Sequence, residues 1–307
     1  MYSNSYLSND PLTRKPLPER IPAEKAAPSW EWEINARTES GNRGWKQLLS
    51  YRHLLFRMVR KEFLINYQQT VLGPLWIFIQ PLLTLLVYVV VFGKLIRVPT
   101  SPGVPPVIFY LCGIVLWNFF HESFLMISRT FRENIHVFSK VYFPRLIAPL
   151  SVLITQFLRF LIQLLLLALL ILWFVLFEGY RPAPGPLLWM LPLTLLVCGL
   201  MSLATGLLFA VWTGKYRDLI NIVEVGVRLL FFITPVVYPL SAIPPEMQGW
   251  MMLNPLTSIF ETFRACLLGA GEPTFSGLAY PLLFLVMTLP FALHLFNRQG
   301  SRLIDIV

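Results

Sequence analysis

Three ionisable side chains, Arg159, Glu224 and Arg228, interrupt runs that are otherwise apolar. Charge inside such a run is costly and marks either a structural pair or a route for something polar. Glu224 and Arg228 stand four apart, so on a helix they share a face and can pair. That pairing serves equally to hold one helix against a neighbour or to line a pathway. Arg159 lies nearer the edge of its run, where a long side chain can reach the interface. No other arrangement in the chain suggests chemistry. There is no G-x-x-x-x-G-K-[ST] phosphate loop, no H-E-x-x-H zinc pair, no G-x-S-x-G elbow and no pair of carboxylates in one loop. Catalysis and a resident metal or cofactor are therefore not expected of this chain. Any ATP-driven process needs a second, nucleotide-binding chain. Cys112, Cys198 and Cys266 lie in apolar surroundings with no metal or redox spacing, and read as buried thiols.

These residues are carried by a chain of 307 residues that is 56% hydrophobic and 13% charged, against roughly 25% charged in soluble domains. Several apolar runs approach the ~20 residues that a bilayer-spanning helix needs. The alternation of membrane strands is absent, so helices must satisfy the backbone. The fold class is all-α, a polytopic membrane protein with six transmembrane helices. The spans are expected at about residues 72–92, 108–126, 150–177, 187–212, 219–238 and 281–296. The net charge of +9 fits basic loops beside anionic membrane lipids, and the scatter of that charge argues against nucleic acid.

Residues 1–44 form a polar, proline-rich arm, read as a flexible cytosolic segment. Residues 45–66 follow as an amphipathic interface helix: Leu48, Leu49, Leu55, Phe56, Val59 and Phe63 recur at helical steps, with Arg52, Arg57, Arg60 and Lys61 among them. The transmembrane domain occupies residues 67–300. Lys61 to Pro81 is its threshold, passing from charge through the amides and hydroxyls around Tyr67 to Gly73-Pro74, a helix start that tolerates proline. Pro81 is expected to kink the first span. Residues 240–280 are too broken to cross, and read as a re-entrant or interfacial helical hairpin before the last span. Residues 301–307 form a tail. Most of the 25 Lys and Arg residues fall in the arm, the interface helix, the 129–145 and 213–218 segments and the tail. The opposite loops hold Lys94, Arg97, Arg181 and Arg264. By the positive-inside rule both termini are cytosolic.

Aromatics make up 14% of the chain. Trp76, Trp117, Phe119, Phe120, Tyr142, Phe143 and Trp212 fit interfacial belts. Aromatic faces lining a channel would equally give sugar rings a tolerant track. The Val141-Tyr142-Phe143 segment reads either as a solvated loop or as an exposed knob for docking a protein.

Taken in series, Tyr67-Gln68-Gln69-Thr70-Val71-Leu72-Gly73-Pro74-Leu75-Trp76, Gln80-Pro81-Leu82, Trp117-Asn118-Phe119-Phe120, Lys140-Val141-Tyr142-Phe143-Pro144-Arg145, Lys215-Tyr216-Arg217-Asp218, Thr234-Pro235-Val236-Val237-Tyr238-Pro239 and Leu253-Asn254-Pro255-Leu256-Thr257 resemble the membrane subunit of ABC-2 type polysaccharide exporters. The resemblance covers about residues 45–300. It implies an inner-membrane permease that works as a homodimer with the channel between two copies. Each copy would bind a separate cytosolic ABC ATPase subunit, which holds ATP and Mg. It implies coupling to that ATPase through Asn134, Lys140, Val141, Tyr142, Phe143 and Arg145. It implies a lipid-linked polysaccharide as substrate, O-antigen on a polyprenyl-pyrophosphate carrier above capsule or teichoic acid. Arg52, Arg57, Arg60, Lys61 and Tyr67 would then meet the headgroup, and Gly73, Pro74, Trp76, Trp117, Phe119 and Phe120 are channel or gating candidates. Two other readings compete. One is an ABC-2 exporter of drugs or small lipids, disfavoured by the missing extracellular domain. The other is a membrane-embedded polyprenyl-phosphate glycan transferase, for which Asp218 is a poor solitary carboxylate.

Overall fold

The computed structural model describes residues 50–65, 67–138, 143–182, 188–216, 218–269 and 275–304. The 1–44 arm, Lys140, Val141, Tyr142 and Arg217 lie outside them, as does the start of the expected interface helix. The described residues are helical throughout their regular elements. Five of the helices are long and apolar enough to cross a membrane.

Helix α1, Arg52–Ile65, buries Met58 and Val59 and leaves Arg52, Arg57, Arg60 and Lys61 exposed. It rests chiefly on α5, Ile147–Phe177, where Thr155 Oγ1 donates to the Val59 carbonyl at 3.5 Å. The chain then turns through Gln69 (φ 63°) and Gly73 (φ 50°) into α2, Gly73–Leu95. Gly73 adopts a left-handed backbone at no steric cost, and Pro74 sits in the first turn, where its missing N–H is not needed. The helix runs through Pro81 and widens to a π-helix over Val89–Leu95.

The centre is made by α3, Pro106–Ser128, and α6, Leu191–Lys215. Of their most apolar windows 78% and 72% are buried, against 17% in α2, 11% in α5 and 22% in α10, Ala279–Ile304. Small residues allow the central pair to approach: a Cβ on Gly206 would stand 2.7 Å from Ile127 Cγ2, and one on Gly199 3.2 Å from Phe119. The outer helices turn apolar rows outward. On α5 Leu158, Leu161, Leu165, Leu169, Leu172 and Leu176 are all exposed at three- and four-residue steps. That is a face for lipid tails. With 31 residues, α5 is about 46 Å long, so it tilts in or extends beyond a hydrocarbon core of about 30 Å.

The stretch expected as the fifth span differs. Helix α7, Leu219–Ile233, has only 15 residues, about 22 Å. It ends because Pro235 disfavours helical backbone at the residue before it, and Thr234 is extended (φ −94°, ψ 136°). The expected six crossings therefore correspond to five long helices and this short one. Two further short helices follow, as the 240–280 pattern predicts: α8, Pro245–Met252, and α9, Pro255–Leu268. Asn254 joins them to α7. Its Oδ1 accepts from the Leu256 N–H at 3.1 Å, capping α9, while its Nδ2 donates to Thr234 Oγ1 at 2.9 Å. Gly269 (φ 65°) closes α9 in the left-handed conformation.

Arg264, grouped by sequence with loop charges, is instead 1% exposed within α9. Its guanidinium donates to the Val236 and Tyr238 carbonyls, lies 3.5 Å from Glu261 and covers the Phe109 ring at 4.1 Å. A Cβ on Gly113 would stand 2.2 Å from that Val236 oxygen. Gly113→Ala is therefore expected to destabilise the subunit by about 1–3 kcal/mol, read as a lower melting temperature in detergent. Gly226→Ala on α7, where a Cβ meets nothing within 4 Å, should leave the melting temperature equal or higher.

Candidate functional site

Polar side chains from three apolar helices converge on one cavity of about 230 Å³. Trp76, Ile77 and Gln80 of α2, Asn118, Phe119 and Glu122 of α3, and Gln156, Arg159, Phe160 and Gln163 of α5 line it, with Tyr67 from the α1–α2 elbow. Each helix contributes at steps of three or four, one face apiece. Arg159 lies 5.3 Å from the Tyr67 ring centre, in cation–π range. Its Nη1 is 3.5 Å from Gln156 Oε1, the limit of a hydrogen bond. Arg159 Nε and Nη2 are enclosed and have no hydrogen-bond partner among the described residues. Glu122 pairs with His121 at 3.2 Å, and Gln156 Nε2 reaches Met126 Sδ at 2.8 Å. Burial pushes the Tyr67 phenol above its ordinary range of about 10, with Arg159 opposing. At neutral pH it is a hydrogen-bond donor.

A second polar centre joins α3 to α7. Arg129, the residue after α3, ion-pairs closely with Glu224 Oε1, while Arg228 stands 4.0 Å from Oε2. The expected four-residue pair is thus present but secondary. Glu224 is drawn mainly to a residue 95 positions away, which the sequence had shown only as a loop charge. Arg228 itself is 75% exposed. Beside this junction Thr213 of α6 donates its hydroxyl to the Ser128 carbonyl, so α3, α6 and α7 meet at one point.

The pattern of the ABC-2 type transporter family matches residues 53–268. The chain belongs to that family. Similar proteins include the O-antigen export system permease protein RfbA of Myxococcus xanthus, 32% identical over 222 residues, which cover 72% of this chain and 82% of the relative. RfbA of Klebsiella pneumoniae is 26% identical over 83% of this chain and 95% of its own. The polysialic acid transport protein KpsM of Escherichia coli is 24% identical over 84% and 96%.

The other expected site residues of this ABC-2 chain are dispersed. Trp117, Phe119 and Phe120 are 8%, 3% and 3% exposed. They pack on Phe231, Phe260, Phe160 and Phe124 inside the subunit rather than standing at an interfacial belt or an open channel wall. Their helix is one of the central pair, and its partly open face is the one that carries Asn118, His121 and Glu122. Phe119 alone also touches the cavity. Trp76, 42% exposed, remains available from both sides.

Phe143 is buried, not part of an exposed knob. It packs 5.5 Å from Phe138, in a cluster with Ile147 beneath α4, Thr130–Phe138. Asn134 also turns inward, its Nδ2 donating to the Thr130 carbonyl at 3.1 Å. The helical step that places Phe131, Asn134 and Phe138 on one face explains both. Arg132 and Glu133 occupy the exposed side of α4, and Arg145 is half-buried.

Arg129→Gln, which removes the closer partner of half-buried Glu224, is expected to cost about 1.5–3 kcal/mol. Arg228→Gln should cost less than about 1 kcal/mol. Chemical denaturation of the purified subunit, with both variants in parallel, checks the order; a larger loss for Arg228→Gln would contradict it.

Proposed function

We propose that this chain is the transmembrane subunit of an ATP-driven exporter for lipid-linked polysaccharide, O-antigen in the first place. The observation that carries the reading is the similarity to the O-antigen permease of Myxococcus xanthus across most of both chains. Two copies enclose the channel, and a separate ATPase subunit docks on the cytosolic side, where both termini lie. The shape of α7 supports a channel between copies. Ile222, Val225, Leu229 and Phe232 leave one face unpartnered, and Arg228 projects beside them, 75% exposed. Such a charge facing lipid costs roughly 2.5–3.5 kcal/mol, whereas a wet passage solvates it. A helix of 15 residues is also too short to face lipid along the whole membrane.

In this reading substrate arrives at the α1–α2 elbow. Arg52, Arg57, Arg60 and Lys61 lie exposed on α1 and attract the pyrophosphate, Tyr67 and Trp76 stand next along the path, and Gly73-Pro74 is the pivot of a lateral entrance. The ATPase meets α4 and the segment after it, through Arg132, Glu133, Lys140, Val141, Tyr142 and Arg145. Asn134 and Phe143 hold that element in shape from within. ATP and Mg belong to the partner.

Deleting the gene is expected to abolish surface polymer and to leave lipid-linked polymer inside the cell. Surface polymer at the wild-type level in the deletion strain would refute the export role. Tyr142→Ala is expected to lower polymer-dependent ATPase activity of the purified complex at least fivefold, with the permease still folded. Undiminished activity would take Tyr142 out of the coupling surface.

A further inference from the structure

The cavity between α2, α3 and α5 brings together a guanidinium, a carboxylate, four side-chain amides and aromatic rings. Arg159 lines it; Nε and Nη2, on one edge of its guanidinium, are enclosed without a hydrogen-bond partner among the described residues, and a turn of the side chain brings that edge to the cavity. Their N–H bonds form a two-pronged donor of the kind that grips two oxygens of one phosphate. Glu122, on α3, offers only acceptors when ionised; His121 stands at Oε1, and a bare phosphate would be repelled. Its other oxygen takes hydroxyl donors. Gln80, Asn118, Gln156 and Gln163 both donate and accept, which suits sugar hydroxyls of either orientation. Trp76, Tyr67 and Phe119 present the electron-rich ring faces on which the C–H side of a sugar rests. With one cation and one anion, the wall is close to neutral overall. At about 230 Å³ the space is smaller than the ~300–1,000 Å³ of pockets that enclose whole drug-sized ligands. It takes one ring and its phosphate, not an oligosaccharide.

We infer that this cavity is a binding site for a glycosyl phosphate, the junction at which the first sugar of the polymer joins its phosphorylated lipid carrier. Arg159 holds a phosphate through its Nε–Nη2 edge, while Glu122 and the amides read the attached sugar. The inference rests on the lipid-linked substrate proposed above and specifies where the junction is held. It also accounts for polar side chains on helices that otherwise face hydrocarbon: an unfilled guanidinium edge in that setting is costly, and the ligand fills it.

The test uses the permease assembled with its ATPase, in nanodiscs, and radiolabelled farnesyl-diphosphate-N-acetylglucosamine as probe. Farnesyl diphosphate without sugar and octyl glucoside without phosphate serve as the two arms. Wild-type complex is expected to hold the complete probe at least tenfold more tightly than either arm. Arg159→Gln should weaken both diphosphates at least tenfold, and Arg159→Lys, which keeps the charge but loses the fork, should weaken them too. Glu122→Gln should weaken the sugar-bearing probe alone. Asn118→Phe, which fills part of the cavity without touching either charge, should reproduce the loss, and it carries the test should the Arg159 variants fail to assemble. No binding by the wild type, or affinity unmoved by these variants, overturns the site. Surface polymer in the deletion and complemented strains judges the export role separately: export intact with affinity unmoved removes the cavity and leaves the exporter.

Discussion

The helical hairpin after α7 depends on one buried guanidinium. Where α7 stops at Ile233, the backbone continues unwound, and its carbonyls lose helical partners in a stretch where Val236 and Val237 are buried within the protein. Each such group left unmet costs several kcal/mol. Arg264 reaches across from α9 and donates to two of them, those of Val236 and Tyr238. Its own charge is balanced by Glu261, whose Oε1 also accepts the Leu240 N–H at 3.2 Å, and by the Phe109 face. The absence of a side chain at Gly113 lets the unwound segment lie against α3. Together with the Asn254–Thr234 hydrogen bond, this group of contacts fixes α9 and the end of α7.

The remaining architecture divides apolar from polar duty by helix. Central α3 and α6 are packed through small residues and bury about three quarters of their apolar stretches. The peripheral helices give one side to lipid and one side to the protein. The polar cavity arises because α2 and α5 keep their amides on the inner side, above the amphipathic α1. The second polar centre, Arg129 with Glu224, lies where α4 leaves α3. It ties Glu224 of α7 to the residue that precedes α4.

Much of this was legible in the residues. The uncharged runs marked the long helices, Gly73-Pro74 marked the start of α2, and the broken composition after 239 marked a hairpin rather than a span. What escaped was set by contacts distant in sequence. Arg264 sits between Phe263 and Ala265 in a short helical stretch, with nothing nearby to show that its partners are carbonyls 26 and 28 positions earlier. Arg129 looked like a basic loop residue because Glu224 lies on another helix. Pro235 carried the signal for the early end of α7, but the apolar residues on both sides of it masked that signal. Phe143 looked exposed because its burial depends on Phe138 folding back over it. The cavity was scattered as isolated Gln and Asn residues in three separate runs, and only the packing of three faces assembles them.

The π-helical turns of α2 have a geometric consequence. Leu85 is buried in the core cluster that includes Tyr110, and a Cβ on Gly93 would lie 3.7 Å from Tyr110. Eight residues of ordinary α-helix would leave those two positions about 80° out of phase. The wider winding over Val89–Leu95 takes up that angle. It acts as a phase adjuster in the outer turns, so the upper part of the helix meets α3 without twisting Trp76 and Gln80, below, off the cavity.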